Sequence, residues 1–121
     1  MQSRKVLVVE DSATDLHYLS DVLARGGYRV IPANSGEEAL VKVKSERPDL
    51  VLMDVVMPGM SGFQAVRQIT RDDETKHIPV IICTSKKQDS DRVWGLRQGA
   101  RDYLTKPISP AMLLEKVGAF A

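Results

Sequence analysis

The sequence predicts an α/β fold in which a single parallel sheet lies between two layers of helices. Two observations predict it: short apolar runs recur along the 121 residues, and stretches with apolar residues at helical spacing alternate with them. Several runs are apolar at consecutive positions, as expected of strands that helices cover on both faces. The runs are Val6–Val9, Tyr28–Ala33, Leu50–Met53, Val80–Cys83, and Tyr103–Leu104 with its flanking residues.

A proline in the second run indicates the order of the strands. Pro32 has no backbone N–H to donate to a neighbouring strand, so its strand belongs at an edge of the sheet. Strict alternation of strands and helices implies right-handed crossovers. An edge position for the second strand fits the flavodoxin-like, doubly wound order 2-1-3-4-5. We therefore predict five strands in this order and five helices, forming one domain over residues 1–121.

The helical stretches carry start and stop signals. The first ends at Gly26-Gly27, the second begins with a capping box at Ser35–Glu38, and the last begins with Ser109 followed by Pro110. These signals predict five amphipathic helices. Their core-facing residues are Leu16, Leu19, Val22 and Leu23 in the first helix, Ala39, Leu40 and Val43 in the second, Phe63, Val66 and Ile69 in the third, Val93 and Leu96 in the fourth, and Leu113, Val117 and Phe120 in the fifth.

The fourth helix is expected to be the softest of the five. It extends from about Asp91 to Gln98 and ends at Gly99. Its interior contains Gly95, which costs ~1 kcal/mol of helix stability relative to alanine. A rearrangement of the fold would therefore involve this helix most easily.

Composition and charge exclude several classes of protein. Lysine and arginine number 17 and aspartate and glutamate 16, so the net charge of +1 gives no overall attraction to nucleic acid or membrane. The single Cys83 lies in an apolar run and cannot form an internal disulfide, so we expect a small buried side chain. No stretch approaches the ~18 apolar residues of a membrane span, and the N-terminus lacks a signal-peptide core. We expect a cytoplasmic monomer without an output domain.

Polar residues follow four of the predicted strands, where ligands bind in open parallel sheets. Glu10 and Asp11 follow the first strand, Asp54 the third, Thr84 the fourth and Lys106 the fifth. The fold should therefore bring three acids, a hydroxyl and a lysine to one edge. Carboxylates held close together repel one another unless positive charge offsets theirs. One lysine and a hard divalent cation that prefers oxygen ligands, Mg²⁺ or Mn²⁺, would supply that charge.

Asp54 is the candidate nucleophile of this cluster. A carboxylate with a reference pKa of ~3.9 is ionised at neutral pH and needs no general base. Phosphoryl transfer depends mainly on positioning and on stabilising charge at the transferred oxygens. The cation, Lys106 and the Thr84 hydroxyl could provide both, and the product would be an aspartyl phosphate.

These residues resemble the receiver domains of two-component response regulators, and in particular stand-alone, chemotaxis (CheY)-like receivers. The resemblance covers nearly the whole chain, with the motifs in order and at family spacing. Its motifs are Glu10-Asp11, Leu52–Gly59, Thr84-Ser85 and Lys106-Pro107. A narrower set is similar to PilH-type receivers of type IV pilus twitching-motility systems, namely Gly62–Ala65, Val93–Gly95 and Arg97–Leu104.

The resemblance implies a metal site and a phosphorylation site. Asp54 would accept a phosphoryl group from a CheA-like histidine kinase. Glu10, Asp11 and Asp54 would bind Mg²⁺, with the backbone carbonyl of Val56 as a further ligand. By this interpretation the chain catalyses only its own phosphorylation and dephosphorylation and is not an enzyme with a separate substrate.

The resemblance also implies how the signal leaves the site. Thr84 would move toward the phosphoryl group, Lys106 would contact it, and Tyr103 would be the aromatic residue that turns inward when Thr84 moves. The peptide bond between Lys106 and Pro107 is expected to be cis. The face formed by the fourth helix, fifth strand and fifth helix would then change its affinity for a protein effector, one related to the pilus motor if the narrower resemblance holds.

Two other functions share parts of this pattern. A Mg²⁺-dependent phosphohydrolase would also form an aspartyl phosphate, but it needs an acid two residues after its nucleophile, and Ala13 and Val56 occupy the corresponding positions after Asp11 and Asp54. A module that binds its partner without phosphorylation would not need the complete set of acids, hydroxyl and lysine. We therefore favour the phosphorylation switch.

Overall fold

The computed structural model describes residues 4–121, in which five strands alternate with five helices. The strands are β1 (Lys5–Val9), β2 (Arg29–Ala33), β3 (Leu50–Met53), β4 (Val80–Thr84) and β5 (Asp102–Thr105). The helices are α1 (Ala13–Arg25), α2 (Gly36–Glu46), α3 (Gly62–Arg71), α4 (Asp89–Arg97) and α5 (Pro110–Phe120). All strand pairs are parallel in the order β2-β1-β3-β4-β5, which confirms the predicted fold.

The burial of each strand follows from its place in the sheet. β2 lies at an edge, where Pro32 is paired in register with Val8, as the missing N–H predicted. Every residue of β3 and β4 is buried, because helices cover both faces of these central strands. The core accordingly has two halves, one beneath α1 and α5 and the other mainly beneath α2 and α3. No helix within residues 4–121 has the length and apolar character needed to cross a membrane.

Serine side chains begin four of the helices. Ser12, Ser35, Ser61 and Ser109 each accept a hydrogen bond from the backbone N–H three residues later. The predicted capping box at α2 is half correct, because the Glu38 carboxylate accepts from the Asn34 N–H (2.8 Å) rather than from Ser35. The reciprocal pair of a capping box occurs instead at α3, between Ser61 and Gln64.

The orientation of α4 differs from the prediction. Val93 and Leu96 are exposed, and the buried residue of α4 is Gly95. A Cβ at this glycine would lie 2.7 Å from Ile82 Cδ1 and 3.0 Å from Tyr103 Cδ2, so its missing side chain lets α4 lie close to the sheet. Gln88 at the N-cap of α4 makes no side-chain capping bond. α4 thus lacks a side-chain N-cap and packs on the sheet through a glycine, and its expected softness stays a prediction.

Phe120 is a second departure from the expected core. Leu113 and Val117 of α5 are buried as predicted, but Phe120, the last residue of this helix, is exposed. The apolar stripe of α5 therefore ends one turn earlier than its spacing suggests.

The chain leaving β3 is held by a close backbone contact. Gly62, the first residue of α3, is so near the preceding loop that a Cβ there would lie 2.2 Å from the Asp54 carbonyl oxygen. The same loop is held from α2, where the Glu37 carboxylate accepts a hydrogen bond from the Met60 N–H (2.7 Å). These contacts fix the course of the backbone immediately after Asp54.

Replacing Gly62 by alanine should therefore destabilise the fold. The new methyl group would collide with backbone, which cannot rotate away, and overpacking of this kind costs ~1–3 kcal/mol. Gly118→Ala is the matched control, because a Cβ there meets only the Tyr28 hydroxyl at 3.7 Å. Removing a helical glycine at that position should stabilise the protein by ~0.5–1 kcal/mol. Urea unfolding of both variants measures the two changes, and equal stabilities would contradict the close contact at Gly62.

Candidate functional site

Three carboxylates come together at the carboxyl edge of the sheet. Glu10 directly follows β1, and Asp11 is the residue after it. Asp54 directly follows β3. One oxygen from each of the three residues lies within 4.8 Å of the others. Glu10 is 2% exposed and the Asp54 side chain 7%, whereas Asp11 is exposed. Two acids are therefore buried side by side, which requires partners that offset their charge.

Lys106 supplies positive charge to this pair. It follows β5, and its backbone N–H donates to the Thr84 carbonyl of the neighbouring strand (2.8 Å). The Lys106-Pro107 peptide bond is cis, as expected. The lysine side chain is 15% exposed, and its Nζ lies 2.5 Å from Glu10 Oε2, 2.9 Å from Asp54 Oδ2 and 2.9 Å from Asp15 Oδ2.

Asp15 also contacts Lys106, and it is not among the site residues predicted from the sequence. It lies in the first turn of α1, four residues after Asp11, and its side chain is 46% exposed. Its spacing in the sequence could have identified it, because an acid four residues after Asp11 lies one helical turn beyond the acidic pair. Its contact with Lys106 spans 91 residues of sequence, so it depends on how α1 is placed against the end of β5.

Backbone N–H groups bind the remaining oxygens of the buried acids. The Val56 N–H donates to Asp54 Oδ1 (2.9 Å), and the Ser12 N–H donates to Glu10 Oε1 (3.1 Å). Each buried carboxyl group therefore has one oxygen on a backbone donor and the other on Lys106. Within the described part of the chain, no buried side-chain nitrogen or oxygen lacks a hydrogen-bond partner.

The two buried acids differ in their affinity for protons. Burial would raise the pKa of Asp54, but hydrogen bonds from the Val56 N–H, Glu10 and Lys106 outweigh it and lower that pKa. For Glu10, burial outweighs the contact with Lys106, and neighbouring Asp54 adds to it, so the pKa is raised to about 7. Asp54 is therefore the acid of the pair that loses its proton more readily, and Glu10 the one that binds a proton more tightly.

Thr84 and Tyr103 both hydrogen-bond to the backbone of Lys86. Thr84 is fully buried at the end of β4, and its hydroxyl oxygen accepts from the Lys86 N–H (3.4 Å). Tyr103 is buried too, with its hydroxyl donating to the Lys86 carbonyl (2.7 Å), and burial raises its pKa to about 12. Tyr103 was expected to reach an inward position when Thr84 moves, but the structure already places it inside.

The donor set at this edge fits a hard divalent cation. Three carboxylates converge, one of them exposed, and such oxygen ligands suit Mg²⁺. The side chain of Val56 is exposed while its N–H is bound to Asp54. The use of its carbonyl as a metal ligand stays a prediction, as do the individual roles assigned to Asp54, Thr84, Lys106 and Tyr103.

Comparison with known protein families identifies the family to which this chain belongs. The family model described as the response regulator receiver domain matches residues 6–118. The chain belongs to the response regulator receiver family. It is therefore a receiver of two-component signalling, and the resemblance stated from its motifs is confirmed. The family is a class of signalling switches that receive phosphoryl groups from histidine kinases and act on downstream effectors.

Individual relatives agree with this assignment. Protein PilH of Pseudomonas aeruginosa is 50% identical over 115 residues, which cover 95% of each chain. The chemotaxis response regulator CheY4 of Vibrio cholerae superposes with a TM-score of 0.91 at 32% identity, covering 99% of this chain and 100% of that one. The receiver domain of sensor histidine kinase PA1611 from Pseudomonas aeruginosa, solved with a magnesium ion coordinated in its active site cleft, gives a TM-score of 0.91 at 29% identity, with 98% of both chains covered.

The raised pKa of Glu10 predicts a pH-dependent affinity for Mg²⁺. A pKa of about 7 leaves Glu10 mostly protonated at lower pH, and binding of the cation then requires loss of that proton. Mg²⁺ should therefore bind more tightly as the pH rises, by roughly tenfold between about pH 6 and pH 8. Isothermal titration calorimetry at both pH values measures the difference.

Two variants control this prediction. Glu10→Gln removes the titrating group and should bind Mg²⁺ with little change across the same interval. Asp21→Asn, an exposed acid of α1 that pairs with Arg25, should keep the wild-type slope. A wild-type affinity that does not change with pH would show that Glu10 is already ionised at the lower pH.

Proposed function

We propose that the chain is a phosphorylation-dependent switch in which Asp54 accepts a phosphoryl group from a CheA-like histidine kinase. The observation that carries the proposal is the pairing of Asp54 with Lys106 in a nearly buried site, where the pKa of the aspartate is nevertheless lowered. An ionised carboxylate with a fixed cationic neighbour is a competent nucleophile that needs no base. Its second oxygen is oriented by the Val56 N–H.

The transfer itself needs little covalent chemistry from the protein. A bond forms between an Asp54 oxygen and phosphorus, and the bond between phosphorus and the donor's histidine nitrogen breaks, which leaves the donor's imidazole. Lys106 and the Thr84 hydroxyl would stabilise negative charge on the transferred oxygens. Glu10, Asp11, Asp54 and the Val56 carbonyl would hold Mg²⁺ or Mn²⁺, which would neutralise further charge there. No separate substrate is turned over.

The effect of phosphorylation would be transmitted from the site to α4 through the backbone of Lys86. The Lys86 N–H donates to the Thr84 hydroxyl oxygen, and the Lys86 carbonyl accepts from the Tyr103 hydroxyl. The Tyr103 ring lies against Gly95. A shift of Thr84 toward a phosphoryl group would disturb these contacts and with them the position of α4. The exposed Val93 and Leu96 on this helix would give the α4, β5 and α5 face apolar side chains for a protein partner, whereas Trp94 lies beside Phe63 and Arg67 of α3.

Similarity to PilH supports a pathway for this switch. The identity of 50% extends over 95% of both chains, which makes a role in type IV pilus twitching motility the favoured assignment, with an effector related to the pilus motor. The near-neutral charge supports a protein partner rather than nucleic acid or a membrane surface. We further propose that the chain acts as a cytoplasmic monomer.

Incubation with acetyl phosphate and Mg²⁺ should add one phosphoryl group to the protein. The small donor supplies the group without a kinase, and intact-mass spectrometry detects the adduct. Asp54→Asn should acquire none, because an amide is not nucleophilic, and EDTA should abolish the adduct in wild type. Circular dichroism establishes that the variant is folded. A wild-type protein that binds Mg²⁺ but acquires no adduct would favour a module that binds without phosphorylation.

Trp94 should report the proposed link to α4. It is the single tryptophan of the chain, is half-exposed, and neighbours Gly95. Beryllofluoride, a phosphoryl analogue, should change its fluorescence in the presence of Mg²⁺. Thr84→Ala should bind the analogue with a smaller fluorescence change, because the contact with Lys86 is lost.

Thr105→Ala is the matched control for this measurement. Thr105 is paired in register with Thr84 on the neighbouring strand, but its side chain is exposed. This variant should retain the wild-type fluorescence change. An undiminished change in Thr84→Ala would place the signal path elsewhere.

A further inference from the structure

Lys106 has one carboxylate partner for which the proposed chemistry gives no role. Glu10 and Asp54 belong to the acidic cluster that would hold the metal ion, whereas Asp15 contributes nothing to that cluster. Its Oδ2 is nevertheless 2.9 Å from Lys106 Nζ, the same distance as Asp54 Oδ2. Asp15 therefore interacts with the site through the lysine.

The position of Asp15 is set by the start of α1. Its backbone N–H donates to the hydroxyl of Ser12, the N-cap residue, at 3.3 Å, which fixes the first turn of the helix beside the site. The side chain is 46% exposed, against 2% and 7% for those of Glu10 and Asp54. The lysine ammonium is thus held between two buried acids on one side and one partly solvated acid on the other.

All the N–H donors of the Lys106 ammonium group already have acceptors. A lysine ammonium has three N–H donors, and three carboxylates take them. A phosphoryl oxygen on Asp54 that is to accept a hydrogen bond from Lys106 must displace one of these partners or share a donor with it. Displacing Asp15 costs least, because water can solvate its half-exposed carboxylate, whereas a buried acid would remain unpaired.

We propose that Asp15 is a positioning residue that competes with the phosphoryl group for the ammonium of Lys106. This inference rests on the proposed phosphorylation of Asp54. The contact with Asp15 stabilises the arrangement without a phosphoryl group and so weakens the phosphorylated one. The acid thereby adjusts how strongly the site retains a phosphoryl group, without touching the metal ion or the reacting atoms.

Removal of the charge at residue 15 should strengthen binding of a phosphoryl analogue. Mg²⁺ is first titrated by calorimetry for each variant, and beryllofluoride is then titrated at saturating Mg²⁺. Asp15→Asn should bind beryllofluoride roughly three- to tenfold more tightly than wild type, because a neutral amide holds an ammonium less strongly than a carboxylate does. Asp15→Glu keeps the charge and should restore an affinity close to that of wild type.

Two controls separate the contact with Lys106 from a general effect of charge. Asp21→Asn makes the same charge change on the exposed surface of the same helix, where Asp21 pairs with Arg25 at 3.0 Å, and should leave the affinity unchanged. In a Lys106→Met background, Asp15→Asn should no longer alter the affinity, since the shared partner is gone. Thermal unfolding of each variant verifies that the fold is intact.

The outcomes distinguish this inference from the proposed function. If wild type neither binds beryllofluoride with Mg²⁺ nor acquires a phosphoryl group, the phosphorylation switch itself is wrong. If wild type binds the analogue and Asp15→Asn binds it equally well, the positioning role alone is overturned. A gain that persists in the Lys106→Met background would also overturn it, because Asp15 would then act directly through its charge.

Discussion

The burial of two adjacent carboxyl groups is the constraint on which the rest of this site depends. Glu10 and Asp54 follow neighbouring strands of the sheet, so their side chains meet at its carboxyl edge with little access to water. Such a pair persists only where every oxygen has a donor and part of the charge is neutralised. The fold meets this requirement with two backbone N–H groups and the ammonium of Lys106, which comes from the far strand of the sheet.

The same arrangement makes the site responsive to added charge. The Lys106 ammonium is shared among several acids, so a change at one of them alters its interaction with the others. A metal ion at the acidic cluster would reduce the hold of the buried acids on the lysine. A phosphoryl group on Asp54 would instead offer new acceptors and add about −1.5 to −2 of charge. The lysine is therefore the group through which binding of a metal ion and phosphorylation of Asp54 would affect each other.

The sequence was sufficient to predict the fold and most of the site. Strands buried on both faces leave continuous apolar runs, and in a parallel sheet the residue after each run lies at the same edge, so Glu10, Asp54 and Lys106 could be brought together in advance. Asp15 could not be placed, because its role depends on how a helix packs against a distant loop. The orientation of α4 was also missed, since counting apolar residues overlooks a buried surface provided by Gly95.

The sparse apolar packing of α4 would let the proposed chemistry of the site reach a partner surface. Shifting a two-state equilibrium from 1:99 to 99:1 requires about 5.5 kcal/mol of differential interaction. A helix held by extensive apolar packing would add the cost of breaking that packing. α4 instead lacks a side-chain N-cap, buries a glycine, and leaves Val93 and Trp94 exposed. If Asp54 is phosphorylated as proposed, a shift of Thr84 would have little apolar packing to break in moving this helix, and the main bonds to be exchanged would be those of Arg92 to the Tyr103 carbonyl and of Thr70 to the Gln98 carbonyl.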